Sequence, residues 1–146
     1  MFGYPEDEQY FAGLLSGGKL DVLEEKYGHL FDFREPSLKR AEFNVLRGKL
    51  LPDLMRRFDG RCGLQIERIC EGDVSLAVDH FIPLSSNILN KELRHLRAVA
   101  GKKVATQSFG SNHPDNLVLA CSACNSYKKH RFPDKALVNK VLKNKL

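Results

Sequence analysis

Residues 116–128 read Asn116-Leu-Val-Leu-Ala-Cys121-Ser-Ala-Cys124-Asn125-Ser-Tyr-Lys128, and this stretch decides how the chain folds. Its first half is a short apolar strand and its second half opens a helix, with a Cys-x-x-Cys pair at the junction. That spacing lets Cys121 and Cys124 reach one tetrahedral zinc ion together. A zinc site needs two more ligands, and the only other cysteines are Cys62 and Cys70. If the segment between them runs straight, they stand ~26 Å apart at ~3.3 Å per strand residue. If it turns back on itself, four sulfurs converge. A structural zinc on Cys62, Cys70, Cys121 and Cys124 is therefore expected, with buried, unliganded thiols as the alternative.

Upstream, 62–70 and 74–80 alternate apolar and polar residues and are separated by Glu71-Gly72-Asp73. This pattern predicts a β-hairpin ending at Asp79-His80, with Pro83 three residues on. Downstream, a helix from Ser122 to about Arg131 is stopped by Pro133. A final helix covers Lys135 to Lys143, with Leu137, Val138, Val141 and Leu142 inward. Residues 85–115 are too long for a simple loop. A helix over Asn90 to Ala100 is expected there. This insert carries Lys91, Arg94, Arg97, Lys102 and Lys103 against Glu92 and Asp115, which fits a nucleic-acid groove or a solvated helix face.

The first 58 residues read as helical scaffold. Gln9 to about Phe33 is helical, broken at Ser16-Gly-Gly, with Phe11, Leu14 and Leu15 in one apolar cluster and Leu20, Leu23, Tyr27 and Leu30 in another. Pro36-Ser37 opens a further helix with Ser37 as N-cap and Leu38, Ala41, Val45 and Leu46 at core spacing. Pro52 is expected to end or kink it, before a turn at Asp59-Gly60.

The chain has 146 residues, 42% of them hydrophobic, which fits a single domain with a modest core. No apolar run approaches the ~20 residues that cross a bilayer, and the acidic amino terminus is unlike a secretory signal. A soluble, cytoplasmic protein with reduced cysteines is the expectation. The net charge of +5 is uneven: residues 1–60 hold 9 Lys/Arg against 11 Asp/Glu, and residues 61–146 hold 14 against 7. A basic half is what a phosphate backbone attracts, although it also keeps a surface soluble.

Phosphodiester hydrolysis needs an activated water and a cation to neutralise charge on the phosphate and the leaving oxygen. His80 suits the first task, and Asp79 with an amide oxygen the second. Adjacent strand residues point to opposite faces, so Asp79 and His80 share a site only where the strand ends. Asn125 lies just past the knuckle, near the start of the helix. Lys128 and Lys129, three and four residues later, share its face and are candidates for the scissile phosphate, with Arg131 nearby. His130 lies about 140° around the helix from Asn125, which makes Asn125 the preferred ligand.

With these elements in order, the chain resembles an HNH endonuclease of the ββα-metal class. The family's common form reads Asp-His-x-x-Pro, Asn-Leu and Cys-x-x-Cys-Asn-x-x-Lys. The matching residues are Asp79-His80-Phe-Ile-Pro83, Asn116-Leu117 and Cys121-Ser-Ala-Cys124-Asn125-Ser-Tyr-Lys128, and the likeness covers about 61–133. The resemblance implies an α+β, treble-clef-like nuclease core with the insert 85–115, between a helical scaffold (1–58) and a carboxy-terminal helix (134–146). It implies His80 as general base, Asp79 and Asn125 as ligands of one Mg²⁺ or Mn²⁺ ion, and Asn116 as the residue that orients His80. It also implies nucleic acid as substrate, DNA being expected ahead of RNA, 5′-phosphate and 3′-hydroxyl ends, and a zinc that is structural only. The chain departs from the family at Gln65, where a first Cys-x-x-Cys would have its second cysteine. A neutral His80 with a pKa of ~6.5 would make cleavage rise with pH through ~6 to 7. The rival reading is a zinc-knuckle module that binds nucleic acid without cutting it.

Overall fold

The computed structural model describes residues 2–143. It is an α+β fold of helices and two small antiparallel sheets. Helix α1 (Pro5–Leu15) begins with a proline at its first position, and Glu6, Asp7 and Glu8 face the positive end of its dipole. It stops at Gly17 and Gly18, whose φ values of 63° and 86° suit glycine; the Gly18 N–H closes the helix on the Ala12 carbonyl. Helix α2 (Leu20–Tyr27) and a 3₁₀ turn (Gly28–Leu30) follow. Phe11, Leu15, Leu23 and Leu30 enter the main core, as their spacing predicts.

Helix α3 (Pro36–Arg57) departs from expectation in three ways. Its N-cap is Glu35, not Ser37, because Pro36 takes the first helical position and holds its predecessor extended, at φ −48° and ψ 131°. The helix also continues through Pro52. That residue is exposed, and the following turn brings Leu54, 3% exposed, into the core. Tertiary packing outweighs the lost hydrogen bond. Finally, Leu38, Ala41, Val45 and Leu46 face solvent, with Val45 71% exposed. The inward face is instead Lys39, Phe43, Leu50 and Leu54, a helical stripe that opens on a lysine. Lys39 is fully buried, and its ammonium donates to the carbonyls of Asp32, Leu84 and Gly110 at 2.7, 3.0 and 2.6 Å. All three of its donors are matched, which is what makes a buried charge tolerable.

The hairpin expected over 62–80 does not form. Residues 61–76 contain no strand, since positive φ values at Gln65, Arg68, Gly72 and Ser75 turn the chain repeatedly. Strand β1 (Ala77–His80) pairs with the distant β4 (Leu117–Ala120), with His80 opposite Leu117 and Ala77 opposite Ala120. Between them lie β2 (Ser85–Ser86), α4 (Ile88–Glu92), β3 (Gln107–Ser108) and a 3₁₀ turn (Pro114–Asn116). The helix expected to reach Ala100 is therefore only α4. His95 stands at φ 53° and breaks it, while the Asn90 side chain ties the loop back through the Ala105 carbonyl and Gln107. At Gly110 the chain crosses 81–83 so closely that a Cβ would meet the Ile82 oxygen at 1.9 Å.

Helix α5 (Ser122–Lys128) follows β4 directly, and α6 (Lys135–Val138) runs into a single π-helical segment (Asn139–Lys143). Val138, Val141 and Leu142 are buried as predicted, and the rest of the expected carboxy-terminal segment, 144–146, lies outside the described residues. The β1–β4 sheet is covered by α3 on one side, through Val78, Leu117 and Leu119, and by the main core on the other, through Val118 and Ala120. No described helix is long and apolar enough to cross a membrane.

Candidate functional site

The four cysteines converge. Their Sγ atoms all lie within 4.8 Å of one another, and none is in a disulfide. The turn that achieves this is local: the N–H groups of Ile69 and Cys70 both bond the Ile66 carbonyl, so 62–70 folds back rather than running straight. Cys62 N–H then reaches Gly72, and Gly63 N–H bonds Leu119 of β4 at 2.7 Å, which docks the turn on the sheet. Tetrahedral zinc with Zn–S of about 2.3 Å needs sulfurs about 3.8 Å apart, so the cluster fits with little closure. Backbone N–H groups of Glu71 and Cys124 point at Cys121 Sγ, both at 3.4 Å, and that of Gly72 at Cys70 Sγ at 3.3 Å. Burial pushes the Cys121 thiol up, but these donors and the neighbouring sulfurs prevail and bring it down to about 7. Burial dominates at Cys70 and Cys124, which are both raised. Backbone donors that favour thiolate are what a cation-binding sulfur cluster requires, and the four residues are able to hold a metal such as zinc.

Asp79 and His80 close strand β1, but their side chains still diverge to opposite faces, His80 toward α3 and Asp79 toward α5, so the strand end does not bring them together in one site as expected. His80 faces α3. Its ring meets Phe43 at 4.4 Å between centroids, inclined 61°, and it is 8% exposed. His80 Nε2 lies 2.8 Å from Asn112 Oδ1, and Asn112 Nδ2 donates to the Lys39 carbonyl at 2.9 Å. Because a carbonyl only accepts, the Asn112 amide nitrogen must face Lys39 and its oxygen must face His80. Nε2 therefore carries the proton, and the neutral ring keeps its lone pair on Nδ1. Burial lowers the His80 pKa to about 4, opposed by the Asn112 bond and reinforced by the charges of Lys128 and Lys39.

Asp79 faces α5. Its Oδ2 is buried with no hydrogen-bond partner, and the nearest cation, Lys128 Nζ, stands 3.4 Å away as a loose ion pair. Burial raises the Asp79 carboxyl above its usual range, against the pull of Lys128. Lys128 is itself 4% exposed and donates to the His80 carbonyl at 2.5 Å, so it pins the strand end from within. The Lys128 ammonium thus already stands where a cation would offset the charge of this carboxylate. Asn125 sits half-buried one helical turn before Lys128 on α5.

Asn116 is fully buried. Its side chain accepts from Ile82 N–H at 2.7 Å and donates to the carbonyls of Ile82 and Ser111 at 3.0 and 2.8 Å. It therefore clamps the backbone two residues beyond His80, while its own backbone carbonyl accepts from Phe81 N–H at 2.7 Å, and its side-chain hydrogen bonds go to the backbone and not to the ring. The ring contact comes from Asn112, which the sequence did not single out. The basic residues divide: Arg97, Lys102, Lys103, Lys129 and Arg131 are exposed, whereas Lys128 and Arg94 turn inward. Arg94 bonds Asp7 and Asn90 and stacks on Tyr4, with 3.8 Å to the ring centroid. Lys128 and Arg94, both expected to face nucleic acid, are thus committed to the fold.

No family model matches the chain, and comparison with curated proteins and with solved structures gives no match.

Proposed function

We propose that the protein is a metal-dependent endonuclease of the HNH kind, built on β1, β4 and α5 as a ββα-metal core. The observation that carries this reading is the His80 imidazole, whose tautomer Asn112 fixes, at the end of a strand whose preceding residue, Asp79, is a buried carboxylate in a loose ion pair with Lys128. His80 Nδ1 removes a proton from a water molecule as its oxygen attacks phosphorus, and the bond to the 3′-oxygen breaks. Asn112 Oδ1 accepts from Nε2 throughout and stabilises the imidazolium as it forms. Asn116 keeps the chain at Ile82 from moving, so the ring is held on a rigid backbone. Asp79 and Asn125 would hold a Mg²⁺ or Mn²⁺ ion, which supplies charge neutralisation at the phosphate and the leaving oxygen. Lys129, Arg131, Arg97, Lys102 and Lys103 remain exposed for phosphate contacts, with DNA the expected polymer.

A second reading has its own support. His80 is 8% exposed and Asp79 already has Lys128 beside it, which suits a zinc-frame module that binds nucleic acid without cutting. Supercoiled plasmid incubated with the protein and Mg²⁺ or Mn²⁺ separates the two. The nuclease reading expects nicked or linear DNA that disappears with EDTA and falls by about 10²- to 10⁴-fold in His80→Ala. Retention of plasmid in a gel-shift assay without cleavage under either ion would favour the binding module.

A further inference from the structure

Apart from the sulfur cluster, the structure gathers a second group of side chains able to ligate a metal. His29, His113 and Asp115 each present a ligand atom within 4.8 Å of the others. His29 Nε2 is 2.8 Å from Asp115 Oδ2, His113 Nδ1 is 3.8 Å from the same oxygen, and the two imidazole rings meet at 4.6 Å between centroids. The residues come from segments 84 positions apart, so this is a tertiary meeting and not a sequence motif. We propose that His29, His113 and Asp115 form a binding site for a borderline first-row divalent ion such as Zn²⁺, fastening the amino-terminal helices to the loop ahead of β4.

The backbone around the three residues is already fixed. Ser111 Oγ donates to the His29 carbonyl at 2.6 Å and Ser111 N–H to the Leu30 carbonyl at 2.9 Å, while Asp32 N–H bonds Phe109 at 2.8 Å. Phe31 and Gly110 form a β-bridge between the same two segments. The ligands therefore stand on a stitched frame, which limits the entropy lost on binding. Two imidazole nitrogens and one carboxylate oxygen favour zinc-like ions over Mg²⁺ or Ca²⁺, which take oxygen ligands. The side chains are 32%, 46% and 33% exposed for His29, His113 and Asp115, so water can complete the coordination. One rearrangement is required. His113 Nδ1 now accepts the Asp115 backbone N–H at 3.1 Å, and a metal at Nδ1 replaces that bond. The ion would also steady the loop that carries Asn112 and Asn116, both of which act near His80. The site stands whether or not the protein cuts nucleic acid.

The test is long-range ¹H–¹⁵N NMR of the histidine rings in the wild-type chain during addition of Zn²⁺ and, separately, Mg²⁺. The ring nitrogens of His29 and His113 are expected to shift together and saturate with Zn²⁺, and to stay in place with Mg²⁺. In parallel, zinc binding by calorimetry should fall by one equivalent per chain in His29→Ala and in His113→Ala, with zinc on the cysteines retained. Unmoved His29 and His113 signals, shifts confined to His80, or wild-type stoichiometry in both variants would each overturn the proposal.

Discussion

Two regions joined by strand β4 handle charge in opposite ways. At the cysteine cluster four sulfurs face one another, with backbone N–H groups aimed at them in place of a counter-ion from the chain. At the end of β1, by contrast, the chain supplies its own partners: Lys128 stands beside Asp79, and Asn112 holds His80. The difference teaches that an ion would be a structural component at the first region and a competitor or companion of Lys128 at the second. Breaking each region should therefore give a different kind of loss.

The largest effect is expected at the sulfurs. Metal-coupled folding at a structural zinc site is on the order of 10 kcal/mol, comparable with the whole stability of a domain. Cys124→Ser should therefore abolish the cooperative thermal transition and the zinc content of the purified protein. A strong chelator should do the same to the wild type. A Cys124→Ser protein that melts like the wild type would remove the zinc frame from the fold and leave four buried thiols.

Lys128→Met sharpens the contrast at the other region. Removing one partner of a buried pair costs about 3–5 kcal/mol, because Asp79 would either stay charged without the Lys128 ammonium or take up a proton in place of it. The His80 carbonyl would lose its donor as well. Denaturant unfolding should show this loss, and added Mg²⁺ or Mn²⁺ should recover part of it in the variant while leaving the wild type little changed. Such a result would mean that the strand end had been converted into an ion-dependent region like the first. Equal stability of variant and wild type without added ion would mean that the internal pair contributes nothing.

How far these regions could be read from sequence follows from how local their causes are. Strand β4, the start of α5 and the Cys121–Cys124 spacing depend on a dozen consecutive residues, and the structure has them where the pattern put them. The return of Cys62 and Cys70 to the same point depends on left-handed residues at Gln65 and Arg68, which nothing in an alternating Ile/Glu/Arg pattern announces. That is why the pattern over 62–80 reads as a hairpin. The inward stripe of α3 was missed because it opens on Lys39, whose charge is matched only by carbonyls from 32, 84 and 110. Asn112 was missed for the same reason. Its role depends on Lys39 and His80 meeting across three segments, and a lone Ser-Asn before His113-Pro114 carries no sign of that.

The smallest effect concerns pH, and it separates His80 from Asp79. His80 is a base whose pKa is lowered by burial, to about 4 against ~6.5 in an unfolded chain. Between those values the unfolded chain binds more protons, so this residue makes stability rise with pH across that window and level off above it. Asp79 acts in the other direction. Its carboxyl is raised by burial, so the folded state holds the extra proton and stability from this group falls as pH rises past the ordinary carboxylate range. Replacing His80 by asparagine, neutral at every pH, should remove the rising component and leave the falling one, as measured by urea unfolding at a series of pH values. The same shift predicts that any cleavage by the wild type is level through pH ~6 to 7 and declines only toward ~4, since the base stays unprotonated above that point. A half-maximal rate near 6.5 would show that the His80 ring is hydrated in the working state, and that the contacts with Phe43 and Asn112 open before the protein acts.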